Sequence, residues 1–297
     1  MSLFGKLRGL VEDPPPEHIF EISEAGIAWA RGAAPETGFE ALAPGVLAVS
    51  PIEANVLDAA AFTARVRAAG GANGQRKRKG AVLVLPDYCG RIAVLDFDSF
   101  PARQEEQLSL VRFRLKKNVP FDVEQAAVSY VAQPRAGGGK KTDVVVAAVA
   151  LEILAAYEMP FHGAGFQTGW VTTSSLAAFD LLPPERNSVL VKRSGKVLTV
   201  LVASGGSLRF LRCLELGDDG AGEVAGVLFP TLAYAEDELA ARPETLIFCG
   251  FGPEQDTLAA HCSAELSIPA AALNSPFGTA GAANAGLYGY LAGRRRR

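Results

Sequence analysis

Apolar positions in the first third of the chain come in short runs broken by turn residues. His18–Ile22 and Ile27–Arg31 flank a turn at Ala25-Gly26, and a further strand-like segment ends near Ser50, which predicts a small antiparallel start to a sheet. The period then lengthens. Asp58 suits the N-cap of a helix running to about Ala69, with Phe62, Val66 and Ala69 on one face. Residues 70–80 hold Gly70-Gly71, Asn73-Gly74 and the run Arg76-Lys77-Arg78-Lys79, and read as an exposed loop. Ala81–Leu85 and Ile92–Phe97 carry strand signals. The clearest helix spans Ala102–Asn118: Pro101 suits its start, and Leu108, Val111 and Leu115 form its apolar stripe. Glu105 and Glu106 near one end and Arg112, Arg114, Lys116 and Lys117 at the other complement the helix dipole, and Pro120 stops it.

Beyond a strand at Val128–Ala132 and a Gly/Lys-rich loop at Arg135–Lys141 lies Asp143–Ala150. This nearly unbroken β-branched and alanine run predicts a central strand covered on both faces. A helix (Glu152–Gly163), a strand near Gly169–Thr172 and a short helix through Leu176–Leu182 lead to Pro183-Pro184, the best lobe boundary. Three strands follow, Ser188–Arg193, Val197–Ala203 and Leu208–Leu216, joined at Ser194-Gly195 and Gly205-Gly206. A helix (Glu223–Ala241), a buried-type strand (Leu246–Cys249) and a helix (Pro253–Glu265) complete the second half. Both halves run in the same order, three antiparallel strands and then alternating helices and strands, which points to an internal duplication.

Composition narrows the class. At 297 residues, with 49% apolar and 21% charged residues, the chain has the makings of a soluble two-lobed protein. A formal net charge of −3 gives no global attraction to nucleic acid. No apolar run approaches the roughly 18 residues that span a bilayer, and Met1–Leu10 lack the apolar core of a secretory signal, so a cytoplasmic location is expected. Cys89, Cys213, Cys249 and Cys262 are too scattered for a Cys-x-x-Cys site and read as small buried hydrophobes. His18, His162 and His261 have no paired ligand spacing, so neither a metal site nor a catalytic group is assigned. Gly139-Lys140-Lys141-Thr142 and Gly195-Lys196-Val197 fall short of a complete phosphate-loop motif.

Several strings, taken in order, resemble the PilM family of type IV pilus assembly proteins, relatives of FtsA and actin. They are Leu3-Phe4-Gly5-Lys6, Val84-Leu85-Pro86-Asp87, Leu115-Lys116-Lys117-Asn118-Val119-Pro120-Phe121-Asp122, Val128-Ser129-Tyr130, Ala164-Gly165-Phe166, Asn274-Ser275-Pro276-Phe277 and Asn284–Leu291. The resemblance implies an α/β, actin-like (ribonuclease H-like) two-lobed fold with an inserted subdomain 1C. It divides the chain into a tail (1–16), lobe I or 1A (17–79 and 134–182), 1C (80–133), lobe II or 2A (183–280), and a C-terminal helix with a basic tail (281–297). It also implies a partner: the short cytoplasmic tail of an inner-membrane protein, PilN, bound in a groove between 1A and 1C, with the chain peripheral to the membrane. Leu108, Val111, Phe113 and Leu115 are expected in that groove, against the alternative that they are the helix's own core face.

Nucleotide binding in such a fold uses two hairpin phosphate loops, where glycine and small hydroxyl residues let backbone N–H groups approach phosphate, and aspartates that hold hydrated magnesium. In place of an Asp-x-Gly-Ser-Ser loop this chain has Glu21-Ile22-Ser23-Glu24-Ala25, and Glu24 would repel phosphate by roughly 1–4 kcal/mol per charge pair. In place of the second Asp-x-Gly stand Lys192-Arg193-Ser194, followed by Gly195-Lys196, so the magnesium aspartate is gone although lysine can still hold an anion. The third element keeps Gly250 and Gly252 but places Phe251 between them. Leu216 and Glu223 are too close in sequence for the subdomain 2B that walls the adenine pocket, which is therefore reduced or absent. A scaffold without cofactor or hydrolysis is expected; the alternative is an ATP-binding PilM-like protein with divergent loops.

Three segments keep two readings each. Arg76–Lys79 and Arg294–Arg297 are either contacts to anionic lipid or solvated loop and tail. Met1–Leu10, with Leu3, Phe4, Leu7 and Leu10 opposite Lys6 and Arg8, is either an interfacial or partner-docking helix or a frayed end.

Overall fold

A computed structural model describes residues 16–32, 34–71, 79–133, 141–217 and 221–296. Expectations about Met1–Leu10, residues 72–78 of the first basic loop and residues 135–140 of the second fall outside these. In lobe I, β1 (His18–Ser23), β2 (Gly26–Arg31) and β3 (Glu36–Ala41) form an antiparallel meander. Strands β4 (Lys79–Leu85) and β8 (Phe166–Thr173) add in parallel, giving the order β3-β2-β1-β4-β8. In lobe II, β9 (Ser188–Ser194), β10 (Val197–Ser204), β11 (Ser207–Glu215), β12 (Thr245–Cys249) and β13 (Ala270–Ala272) repeat that pattern as β11-β10-β9-β12-β13. The duplication read in the sequence is thus a duplication of strand order. The β10–β11 connection is the two-residue pair Gly205-Gly206, with φ of 56° and 70°, as a type I′ hairpin turn requires.

Helix α1 (Ala59–Gly70) crosses from β3 to β4. Asp58 caps it, accepting from the Ala61 N–H at 2.9 Å, and Phe62, Val66 and Ala69 are buried as their spacing predicts. The third strand departs from expectation: it ends at Ala41. The apolar signal that extended it towards Ser50 belongs to Leu42, Val46 and Leu47, which pack into the core from a loop interrupted by Pro44-Gly45.

Between β4 and the crossover helix α3 (Leu151–Gly163) lies a separate layer. Strands β5 (Arg91–Phe97), β6 (Ala126–Gln133) and β7 (Thr142–Ala150) form an antiparallel sheet ordered β5-β7-β6, with α2 (Gln104–Leu115) on one face. This pairing corrects two sequence expectations. Residues 81–85, expected in the insert 80–133, form a strand of the lobe I sheet, and residues 143–150, expected in lobe I (134–182), form the centre of the insert sheet. Both are apolar runs, and a run does not name its neighbours. Strand β7 is also fully covered on one face and only partly on the other. Val144, Val146 and Ala148 are buried against α2, whereas Val145, Ala147 and Val149 are half-buried on the opposite face.

Helix α4 (Ser174–Ala178) follows β8, α5 (Ala221–Asp237) and α6 (Gln255–Leu266) flank β12, and α7 (Ala285–Arg296) ends the described chain. Helices α1 and α3 cover one face of the lobe I sheet, and α5 and α6 cover one face of the lobe II sheet. The remaining faces meet, with α4 and α7, in a shared core that includes Val82, Val84, Leu190, Leu201, Ile247, Ala177 and Leu287.

Candidate functional site

The carboxyl ends of parallel strands and the hairpins beside them form the place where an open α/β sheet collects ligands. Here β1 ends in the Glu24-Ala25 turn, β4 ends at Leu85-Pro86-Asp87, and β9 ends in the Gly195-Lys196 turn. Three of the protein's own charged side chains, Glu21, Asp87 and Lys192, are buried where these elements meet. Lys192, on β9, is 1% exposed and donates to Asp87 Oδ2 at 2.9 Å. Asp87 also accepts from the Ser175 N–H and hydroxyl, both at 2.6 Å, and from the Thr199 hydroxyl at 3.1 Å. Glu21, 1% exposed on β1, accepts from the Ser174 hydroxyl and from the Leu287 N–H in the first turn of α7, the latter at 2.7 Å. A carboxylate of the chain therefore occupies the electropositive helix end that suits a bound anion.

This cluster sets the local electrostatics. Burial pushes the Glu21 carboxyl up from its ordinary range, against the opposing field of Lys192 and hydrogen bonds from Ser174 and the Leu287 and Gly286 backbone. Burial also disfavours charge on Asp87, but Lys192 and the Ser175 bonds outweigh it and hold the carboxyl below 3.8. Burial disfavours charge on Lys192 as well; Asp87 and Glu21 overcome it, so its ammonium is held above 10.5. Burial raises the Cys213 and Cys249 thiols to about 12, which leaves them inert.

The two hairpin turns meet above the cluster. A Cβ on Gly195 would stand 2.6 Å from Glu24 Oε2, and φ of 59° at that position also favours glycine. A Cβ on Gly250 would stand 2.1 Å from the Arg193 carbonyl, so the third element packs against the second hairpin. Ser23 bonds within its own turn, to the Gly26 carbonyl at 3.1 Å. Ser194 is half-buried, while Lys196 and Gly252 are exposed. The sequence-assigned residues Glu21, Glu24, Lys192, Gly195 and Gly250 thus converge. Asp87, Ser174, Ser175, Thr199 and Leu287 complete the cluster and were not assigned from sequence. Asp87 stood in the quoted string Val84–Asp87, and its position just past a parallel strand was the signal that could have found it.

A second site lies between lobe I and the insert. Strand β6 is an edge of the insert sheet and β8 is an edge of the lobe I sheet, and both border one cavity of about 540 Å³. Ala127–Val131 line one side and Trp170–Thr173 the other; Val145, Ala147 and Val149 lie between them. No charged side chain among the described residues lines it. Trp170 is 47% and Val131 60% exposed, large apolar surface at the rim. At the floor the Thr173 hydroxyl is buried and has no hydrogen-bond partner among the described residues.

None of the four positions assigned to a partner groove lines this cavity. Val111 and Leu115 are at most 1% exposed in the insert core, Phe113 is 73% exposed, and half-buried Leu108 borders, with Gln104 and Gln107, a recess that shares Val128, Ser129 and Tyr130 with the cavity. For Val111 and Leu115 the core alternative holds. An amphipathic stripe gives a helix's inner face, whereas the cavity is made by strand faces the helix leaves uncovered.

No protein-family model and no curated protein sequence matches the chain. Among solved structures, one chain of a PilM-PilN type IV pilus biogenesis complex superposes with a TM-score of 0.76 at 19% identity, covering 95% of this chain and 99% of that one. A Bacteroides thetaiotaomicron protein with an actin-like ATPase fold and unknown function matches with a TM-score of 0.52 at 11% identity, covering 91% and 93%. In fold, then, this chain is similar to the chain of that PilM-PilN complex and to a protein with the actin-like ATPase fold.

Proposed function

We propose that this chain is a non-hydrolysing scaffold of a type IV pilus or related secretion assembly complex, peripheral to the inner membrane, and that its groove holds the short cytoplasmic N-terminal tail of a PilN-like membrane protein. The observation that carries the reading is the uncharged cavity between two sheet edges. An extended peptide satisfies its backbone by adding to an edge strand and places alternate side chains into the groove. The five residues Ala127–Val131 match a peptide of about five to seven residues at roughly 3.3 Å each. The similarity in fold to a chain from a PilM–PilN complex supports the choice of partner. In this reading subdomain 1C is the layer formed by residues 91–150.

The absence of hydrolysis rests on the interlobe cluster. Phosphoryl transfer needs a metal and a positioned water beside the phosphates. In the loop pattern the resemblance implies, Lys192 replaces the magnesium aspartate and is paired with Asp87, and Glu24 brings a carboxylate to the phosphate side. The connection from β11 to α5, residues 216–220, is too short for the wall of an adenine pocket.

Titrating the full chain with a synthetic peptide of the membrane partner's tail, followed by Trp170 fluorescence, tests the proposal. Saturable binding that Val145→Glu abolishes with an unchanged Tm is the expected result. Binding unaffected by Val145→Glu, or ATP hydrolysis above background in the same preparation, contradicts it.

A further inference from the structure

A second cavity, of about 500 Å³, lies where the insert meets lobe II. Strand β5 is an edge of the insert sheet and β11 an edge of the lobe II sheet; both border it, and residues at the end of α5 complete its lining. It shares no lining residue with the groove. Two contacts pin its walls together. The Gln133 side-chain amide accepts from the Leu208 N–H at 3.1 Å and donates to the Leu208 carbonyl, and Arg209 Nη1 donates to Asp143 Oδ2 at 2.8 Å.

Arg209 lines this cavity and is 6% exposed. Its Nε is buried without a hydrogen-bond partner, and its Nη2 has none among the described residues. Nε and Nη2 share one edge of the guanidinium, the fork that takes a carboxylate in two parallel hydrogen bonds. A buried donor left without an acceptor is uncommon in a folded protein. The other charges decide what must accompany that acceptor. Lys141 is engaged by Asp96 at 3.1 Å and Asp98 at 3.3 Å, whereas Glu238, exposed at the rim, has no ion-pair partner among the described residues. Lys141 and Arg209 against Asp96, Asp143 and Glu238 leave the lining with one negative charge in excess. A plain anion therefore meets repulsion, which a cation on the same ligand offsets. Phe210 and Tyr234, with ring centroids 5.4 Å apart, supply an aromatic wall, and the half-exposed Tyr234 ring also favours a cation.

We infer that this cavity binds a small zwitterion of the amino-acid or dipeptide class, its carboxylate on the Nε–Nη2 edge of Arg209 and its ammonium towards Glu238 and the Tyr234 ring. The carboxylate gives the buried donors their acceptor, the ammonium offsets the acidic excess, and the apolar body lies against Phe210 and Tyr234. A cavity of about 500 Å³ has room for a ligand of that size. The site is independent of any partner in the groove.

Nuclear magnetic resonance of the isotope-labelled full chain, following the Arg209 Nε–H signal while the dipeptide alanyl-leucine is added, tests this. Saturable displacement of that signal is the expected result. N-acetyl-alanyl-leucine, which lacks the ammonium, and alanyl-leucine amide, which lacks the carboxylate, should each bind at least about tenfold more weakly, as befits the loss of a charged hydrogen-bonding group. Glu238→Gln, at an exposed position that leaves Tm unchanged, should remove the preference for alanyl-leucine over its N-acetyl form. Arg209→Lys, which keeps the charge but not the fork, should remove the preference over the amide; if it lowers Tm, Glu238→Gln decides alone. No displacement by alanyl-leucine at millimolar concentration, equal displacement by all three dipeptides, or a preference that Glu238→Gln leaves unchanged overturns the inference.

Discussion

The interlobe cluster and the groove are built from similar strand ends but have opposite fates. Between the lobes, Glu21, Asp87 and Lys192 are each at most 5% exposed and satisfy one another and the start of α7. In the groove, Val145, Ala147, Val149 and Trp170 keep apolar surface in contact with water, and the Thr173 hydroxyl has no partner among the described residues. In the proposed reading the first site is closed by its own counter-charges and the second, with its half-covered apolar strands, is the one that takes a ligand. The difference, on that reading, is that binding sits at the side of one lobe and not at the hinge, with the duplicated sheets in place.

The largest effect should come from breaking the polar half of the comparison. Lys192→Ala leaves two buried carboxylates uncompensated and is expected to cost about 3–5 kcal/mol in denaturant unfolding. Lys192→Met/Asp87→Asn, which removes both charges, should cost clearly less. Equal losses would show that the ion pair is not what holds this region.

The groove half breaks more gently. Trp170→Ala should weaken tail-peptide binding by about 2 kcal/mol in a calorimetric titration, with Tm nearly unchanged because the indole is 47% exposed.

Acid titration separates the two buried carboxyls. Asp87, with its pKa lowered in the fold, contributes stability above 3.8 that is lost as pH falls through its native value. Glu21 is raised, so its contribution is fully present below 4.5 and is lost as pH rises through its native value. The two oppose each other in acid. Glu21→Gln should therefore steepen the fall of Tm on acidification, and Asp87→Asn should flatten it.

The smallest effect is expected at Phe113, once a groove candidate. Phe113→Ser should change both stability and peptide affinity by less than about 0.5 kcal/mol, since the ring is 73% exposed and outside the cavity.

Much of the fold was legible in the sequence because each half states its elements locally: the Asp58 cap, the Gly205-Gly206 turn and the α2 stripe need no distant partner. Strand partners were not legible. The runs 81–85 and 143–150 look alike in sequence and belong to different sheets, because pairing is decided by topology. Strand β13, three alanines, carries no β-branched or aromatic signal and was missed. Glu21 and Lys192 stood out as breaches of a loop pattern, but their mutual satisfaction through Asp87, Ser174 and Ser175 joins residues far apart in sequence and shows only in three dimensions.

The central claim is that this molecule binds through the groove and not through the hairpins. Backbone hydrogen exchange of the full chain, measured with magnesium-ATP and again with the partner's tail peptide, tests it most directly. The account predicts that the peptide protects residues 127–131 and 170–173 while ATP leaves residues 21–26 and 192–197 unchanged. Protection of the hairpins by ATP, with no peptide effect at the two sheet edges, would contradict it.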